Sequence, residues 1–441
     1  MIPGVVVRTD QVSLGVLVAA VPRDVIDVAV AACGAGDRRS GGKLPAHVVA
    51  YLTMAMCLFP DDDYEEVAAR VTGSLSAWGC WDAAWGVPTA SGITQARKRL
   101  GRGVMPEVFE GVAEAVATAG TRGAWLRGWR LLAIDGFEVD LPDTPANAGE
   151  FGYAGSGDSR SAFPKARVVA LAECGTHAFL AAEAGAYSTG EKTMASRLYP
   201  RLRPDELLTA DRNFYSWDAW ELAAGTGAAL LWRAPTQLEL PVVSVLPDGS
   251  YLSVLVRPAL RRARRAAIIE AARAGQDIDP ADAHLVRVIE YDVPDREGSG
   301  TGELIVLLTT ITSPGDARAG ELTSAYHHRW EEETANDQLK THLRGPGRIL
   351  RSRLPDLVHQ EIWAYLIPLG HGTAGGAKKP PATSDHSSTQ IPLTRRIGLQ
   401  LIPTSATVYD NLGVPEERGL WPCPPLEHHT ADGYSNASDR T

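Results

Sequence analysis

The stretch from Tyr326 to Lys340 constrains this chain more than any other part of it. No Gly or Pro falls between Glu321 and Arg344, so the composition predicts one unbroken helix there. At about 100° per residue, Tyr326, Arg329, Glu333, Asp337 and Lys340 fall within a sector roughly 60–80° wide. A face with that chemistry is not a core-facing stripe. It suits a solvated helix with i,i+4 pairs such as Arg329 with Glu333, or a site where basic groups must stand beside a carboxylate.

Two upstream stretches bring further carboxylates to the ends of predicted strands. Trp129–Ile134 is a short apolar run that stops at Asp135-Gly136, where the glycine allows a tight turn. Leu207-Leu208-Thr209-Ala210 repeats the pattern and stops at Asp211, followed by the polar-aromatic turn Arg212–Ser216. Taken singly, either aspartate suits a turn or a helix cap. Taken with the later charged helix, and in this order, they suit a shared site.

The spacing Tyr326-x2-Arg329-x3-Glu333-x6-Lys340 is similar to the signature of the insertion sequence 4 family of DDE transposases. The Ala96-Arg97-Lys98-Arg99-Leu100-Gly101 run also resembles part of that family's amino-terminal domain. The resemblance covers about residues 10–366. It implies that Asp135, Asp211 and Glu333 bind Mg²⁺ (or Mn²⁺), and that Tyr326, Arg329 and Lys340 position DNA phosphates. Of the three consecutive glutamates, only Glu333 shares the face of Arg329 and Lys340. His327 and His328 lie off that face and read as packing or surface residues.

The rest of the chain supplies the organisation. With 44% hydrophobic and 22% charged residues, its 441 residues suit two or three globular domains. Residues 1–125 read as a helical amino-terminal DNA-binding domain. Residues 126–366 read as an RNase H-like α/β catalytic domain, interrupted at about 228–312 by a mainly β insertion that the family also carries. Within that insertion Leu230–Arg233, Leu238–Val245, Tyr251–Val256, Leu285–Tyr291 and Glu303–Ile311 have strand character. From about residue 367 the chain is rich in Gly, Pro, Ser, Thr and His, so residues 367–441 are expected to be disordered. The family resemblance stops there, as a shifted reading frame or a shortened end would make it do.

A net charge of −10 argues against a protein that coats nucleic acid by bulk charge, so any DNA contact must use local basic patches. Two such patches are Arg97, Lys98 and Arg99, and Arg261, Arg262, Arg264 and Arg265. Each suits either a grip on the DNA backbone or a solvated helix face. The five scattered cysteines form no CxxC pair, and Arg23, Asp24 and Asp27 break the apolar run ahead of Cys33. With no stretch of about 18 or more apolar residues, no membrane span is expected, and a cytoplasmic location, on the nucleoid when DNA is bound, follows.

These readings converge on a transposase that cuts and transfers strands of double-stranded DNA at terminal inverted repeats and target sites. They allow a homodimer in the DNA complex. The alternative is a degenerate copy that binds DNA and does not cut, which the atypical tail favours and the intact carboxylate set opposes. A metal-dependent nuclease that cuts without strand transfer would use the same site.

Overall fold

A computed structural model describes residues 15, 17–36, 44–77, 86–293, 303–329 and 349–370, all within a unit that spans Met1–Gly375. The described chain starts with helices. Helix α1 (Arg23–Ala32) follows the extended Pro22, and α2 (Ala46–Leu58) is buried around nearly its whole circumference. An apolar helix of that kind belongs inside a layer, not on its rim. Helix α3 (Tyr64–Ala77) opens on a reciprocal cap: the Asp63 carboxylate accepts from Glu65 N and Glu66 N, and Glu66 Oε2 accepts from Asp63 N. The Thr89 hydroxyl caps α4 (Ala90–Leu100), which Gly101 closes at φ +74°. Helix α5 (Val104–Val112) completes this layer.

The sheet follows, from β1 (Trp125–Leu126) and β2 (Trp129–Asp140) to β3 (Lys165–Glu173) and β4 (Phe179–Ala186), with α6 (Pro145–Phe151) between β2 and β3. Helix α7 (Glu191–Leu198) leads to β5 (Glu206–Ala210), and α8 (Trp217–Ala224) to β6 (Ala229–Arg233). Next come β7 (Ser244–Val245), β8 (Tyr251–Val256), α9 (Arg262–Arg273), β9 (Ala283–Val293) and β10 (Glu303–Thr309). Helices α10 (Ala319–His327) and α11 (Pro355–Gly370) end the described chain. No described helix is long and apolar enough to cross a membrane.

One mixed sheet organises these α and β elements, in the order β4-β3-β2-β5-β6-β10-β9-β8-β7, with β1 paired to β2. The pairs β2–β5 and β5–β6 are parallel, and β2–β3 and β3–β4 antiparallel. The later strands add antiparallel to β6, so they extend the same sheet.

Alternation along the strands gives the sheet two apolar faces. Leu132, Ile134, Leu208 and Leu230 pack with α7 and α8 through Met194, Leu198 and Trp220. Leu131, Ala133, Leu207 and Leu231 point the other way and pack on Leu322, Ala325 and Tyr326 of α10. Farther along β2, Phe137 and Val139 join a third cluster with the amino-terminal helices and with Val358, Ile362 and Trp363 of α11. The helical layer thus shares its core with the sheet.

Two sequence expectations change here. Strand β2 does not stop before Asp135-Gly136; it continues to Asp140 because β3 pairs along it and Phe137 and Val139 are buried. Gly136 provides room there, since a Cβ on it would lie 2.9 Å from Glu191 Oε1. Of the expected strand Leu238–Val245, only Ser244–Val245 pairs. Pro241 sits in the middle of that span and has no N–H for a ladder. The expected tail, residues 367–441, lies outside the described residues apart from the end of α11.

Candidate active site

Strand register brings the two aspartates together. Parallel strands β2 and β5 pair from Arg130 with Glu206 to Ile134 with Ala210. Asp135 and Asp211 are the next residue on each strand, and both share the face of Leu131, Ala133 and Leu207. Strand β5 ends at Ala210 while β2 runs on, so Asp135 stands mid-strand beside the end of its neighbour. On this face Asp135 falls between the Leu131–Ala133 cluster and the Phe137–Val139 cluster.

Asp211 occupies the position before a short 3₁₀ turn, Arg212–Phe214, yet its side chain makes no capping hydrogen bond. Among the described residues its buried Oδ1 has no hydrogen-bond partner. The capping role that Asp211 suits when taken singly is therefore absent. Its charged neighbour is Arg233 at the end of β6, with Nη1 4.0 Å from Oδ1. Both side chains are largely withdrawn from solvent.

Helix α10 approaches the same corner. Glu321 Oε2 accepts from Arg318 N at 2.7 Å and fixes the first turn of this helix. Two turns on, Tyr326 is buried against the sheet, and Arg329 is only 4% exposed. The Arg329 guanidinium lies 5.4 Å from the Tyr326 ring centroid. Burial raises the Tyr326 phenol pKa; the Arg329 charge opposes this and the Asp211 charge adds to it. Tyr326 is thus within electrostatic reach of Asp211, Arg329 and Arg233.

Glu333 and Lys340 lie outside the described residues. Among the described residues, no group of three or more His, Cys, Asp or Glu side chains comes together as a metal site. The donors at the corner nevertheless fit a hard divalent cation in kind. Two adjacent strand positions carry carboxylates, and Asp211 has a buried oxygen without a hydrogen bond.

The basic residues behave differently from one another. Arg97 is fully buried, and its guanidinium points inward, away from any phosphate. Nε donates to Gln360 Oε1 at 3.1 Å, Nη1 to Tyr64 Oη and Ser352 Oγ at 3.2 Å each, and Nη2 to Leu357 O at 2.8 Å. Lys98 and Arg99 are exposed. On α9, Arg264 pairs with Asp282 at 2.6 Å and Arg265 with Glu239 at 3.3 Å, which offsets their charge. Arg261 and Arg262 are exposed at the start of that helix. Arg233 belongs to no motif visible in the sequence. Its signal is register: Trp232 pairs with Ala210, so the next residue on β6 faces the residue after Ala210.

Residues 11–110 match the family model described as the insertion element 4 transposase N-terminal region. Over 330 residues the chain is 26% identical to transposase InsG for insertion sequence element IS4 of Escherichia coli (strain K12), covering 74% of this chain and 68% of that protein. It is 28% identical over 201 residues to the putative transposase InsZ of the same organism, covering 44% of this chain and 62% of that one. Among solved structures it is similar to a piggyBac transposase synaptic complex with hairpin DNA, with a TM-score of 0.38 and 9% identity over 82% of this chain and 74% of the other.

Proposed function

Because the chain belongs to the insertion element 4 family of transposases, we propose that Asp135 and Asp211, joined by Glu333, are the metal-binding carboxylates with which it cleaves and transfers DNA strands. The observation that carries this reading is the β2–β5 register, which makes Asp135 and Asp211 neighbours on the face where α10 arrives. In this reading β4-β3-β2-β5-β6 is an RNase H-like core, so Leu230–Arg233, expected within an insertion at about 228–312, belongs to the core instead, as its parallel pairing with β5 suggests. Strands β7 to β10 with α9 are an insertion between that core and the helix that begins at Ala319.

Mg²⁺ or Mn²⁺ bound there supplies an activated oxygen nucleophile and stabilises the leaving oxygen of an in-line displacement. The protein's own part is to hold hard oxygen donors in place and to arrange positive charge around the scissile phosphate. Arg329 offers a planar fork of donors, and its packing against Tyr326 limits the rotamers it must give up on binding phosphate. Lys340 would add a point charge. Arg233 gives Asp211 a counter-charge before substrate and metal arrive. Lys98 and Arg99, with Arg261 and Arg262, are the exposed groups suited to the backbone of flanking duplex.

The test uses duplex DNA carrying the sequences that flank the chain's own gene. With Mg²⁺ or Mn²⁺ present, the unmodified chain should cut at the element ends and join them to a target plasmid. Asp211→Asn should abolish cutting and leave the dissociation constant for that DNA within about threefold, since removing one carboxylate charge does not weaken a phosphate grip. Binding without cutting by the unmodified chain would favour an inactive copy. Cutting without joining would favour a nuclease.

A further inference from the structure

Outside the carboxylate corner, the described residues contain a buried charge network that the proposed chemistry does not use. Arg287, in the middle of β9, is 0% exposed, and each guanidinium nitrogen is engaged. Nε donates to Ser250 Oγ at 2.8 Å, Nη1 donates to Ala317 O at 2.7 Å, and Nη2 donates to the Asp248 carboxylate. Asp248 sits in the turn Pro247-Asp248-Gly249 between β7 and β8, where Gly249 takes φ +85°. Its Oδ1 accepts from Ser250 Oγ at 2.6 Å, and its Oδ2 accepts from Ala319 N at 2.8 Å.

Ala319 is the first residue of α10, and Ala317 lies two residues before it. The amide of a helix's first residue has no partner inside the helix, and a carboxylate is the acceptor it favours most. Here the capping residue at Arg318 brings no side-chain cap bond, and the carboxylate comes from a turn some 70 residues earlier in the chain. Arg287 holds that carboxylate and the Ala317 carbonyl at once. A buried guanidinium with every nitrogen used is expensive to place and has one geometry in which it is satisfied. Such a group is suited to setting a position.

We propose that Asp248 and Arg287 are positioning residues: they lock the start of α10 to the strand extension and so set where Tyr326 and Arg329 stand relative to Asp135 and Asp211. The inference rests on the function proposed above for that corner. A second link reaches the same first turn from the β1–β2 turn, at an interior strand of the sheet. Arg127, at φ +53° in the turn between β1 and β2, donates through Nη2 to both Glu321 oxygens at 2.9 and 3.1 Å. That pair is partly exposed, so the buried pair carries more of the constraint. The strand extension thereby acts on the site without touching substrate.

The experiment replaces the pair with apolar side chains of similar size, Asp248→Leu with Arg287→Met, so that no unpaired charge stays buried. A milder variant, Ser250→Ala, removes one node of the network. Amide hydrogen exchange by mass spectrometry is read together with single-turnover, Mg²⁺-dependent cutting of the flanking-sequence duplex. In the double variant, exchange should rise at least tenfold in peptides covering 319–329 and stay unchanged in β2 and β5. Cutting should slow at least tenfold with DNA affinity unaltered. Ser250→Ala should show both effects in smaller measure, and it decides the matter alone if the double variant fails to melt cooperatively. Unchanged exchange at 319–329, an equal rise across β2 and β5, or a local rise with normal cutting would each overturn the proposal. If the unmodified chain cuts no DNA, the reading of the corner fails, while the exchange result still decides whether the pair locks the helix.

Discussion

Arg233 Nη1 stands 4.0 Å from Asp211 Oδ1, so the carboxylate proposed to hold metal already faces a fixed positive charge. Two unit charges at that distance interact by about 4 kcal/mol at an effective dielectric near 20, and partial solvation reduces this. A divalent ion would meet the same charge as repulsion. Arg233→Ala should therefore lower the Mn²⁺ concentration for half-maximal binding to the DNA-free protein, by roughly two- to tenfold. The same change should slow strand cutting, because Asp211 loses the counter-charge that holds it in place. Mn²⁺ titration by paramagnetic resonance checks the first effect, and a weaker Mn²⁺ affinity in the variant would contradict it.

The two sides of α4 should respond oppositely to mutation. Arg97→Ala removes four hydrogen bonds from a buried site and leaves Leu357 O and the Gln360 amide oxygen short of donors. A loss of about 2–5 kcal/mol in unfolding free energy is expected. Lys98→Ala with Arg99→Ala should leave the melting temperature within a few degrees. That pair should instead flatten the salt dependence of DNA binding, by roughly 0.9 in log–log slope for each lost phosphate contact. Thermal melts and binding titrations at several salt concentrations separate the two.

Tyr326 anchors α10 through its ring. Tyr326→Phe keeps the ring in the buried cluster between α10 and the sheet and should cost less than about 1.5 kcal/mol in stability. Tyr326→Ala opens a cavity under the helix and should cost about 3–5 kcal/mol. Denaturant unfolding measures both. If Phe proves as costly as Ala, the hydroxyl contributes more than the packing.

Acid should weaken the Asp248 link. Burial alone would raise this carboxyl pKa, but hydrogen bonds from Ser250 and the Ala319 amide, and the Arg287 charge, hold it below its ordinary value of 3.8. A depressed carboxyl stabilises the fold fully above the unfolded-state pKa, and that contribution fades as pH falls through the lower folded-state value. The melting-temperature gap between the unmodified chain and Asp248→Asn should accordingly be constant above about pH 5 and shrink below about pH 4. A gap that widens with acid would reverse the sign and reject this account.

The β5 strand and the place of Asp211 at its end were legible because an apolar run that ends in a carboxylate is a local signal. Leu207–Ala210 ends as read, and Asp211 follows it. Beyond Asp135 the strand was not legible, since Gly136 looks like a turn in one dimension. Its role as clearance for Glu191 depends on α7, some 55 residues later. Arg97 carried a signal that went unused: Ile93, Ala96, Arg97 and Leu100 form one buried stripe at helical spacing, so the arginine lies on the apolar side. Charge density pointed outward where periodicity pointed inward. The Asp248–Arg287–Ala319 network was beyond sequence reading, because three separate segments meet in it and none has a distinctive composition.

The core shared by the amino-terminal helices, β2, β3 and α11 turns this part of the molecule into a caliper. Arg97 ties α4 to α11, while Lys98 and Arg99 face outward from that same helix. Phe137 and Val139 bind the strand of Asp135 into the same packed mass. Any phosphate gripped by Lys98 or Arg99 therefore sits at a span from Asp135 that close packing sets, not a hinge. Lengthening the connection between α5 and β1 would leave that span unaltered, whereas one overpacked side chain between Phe109 and Trp363, whose ring centroids are 5.1 Å apart, would change it.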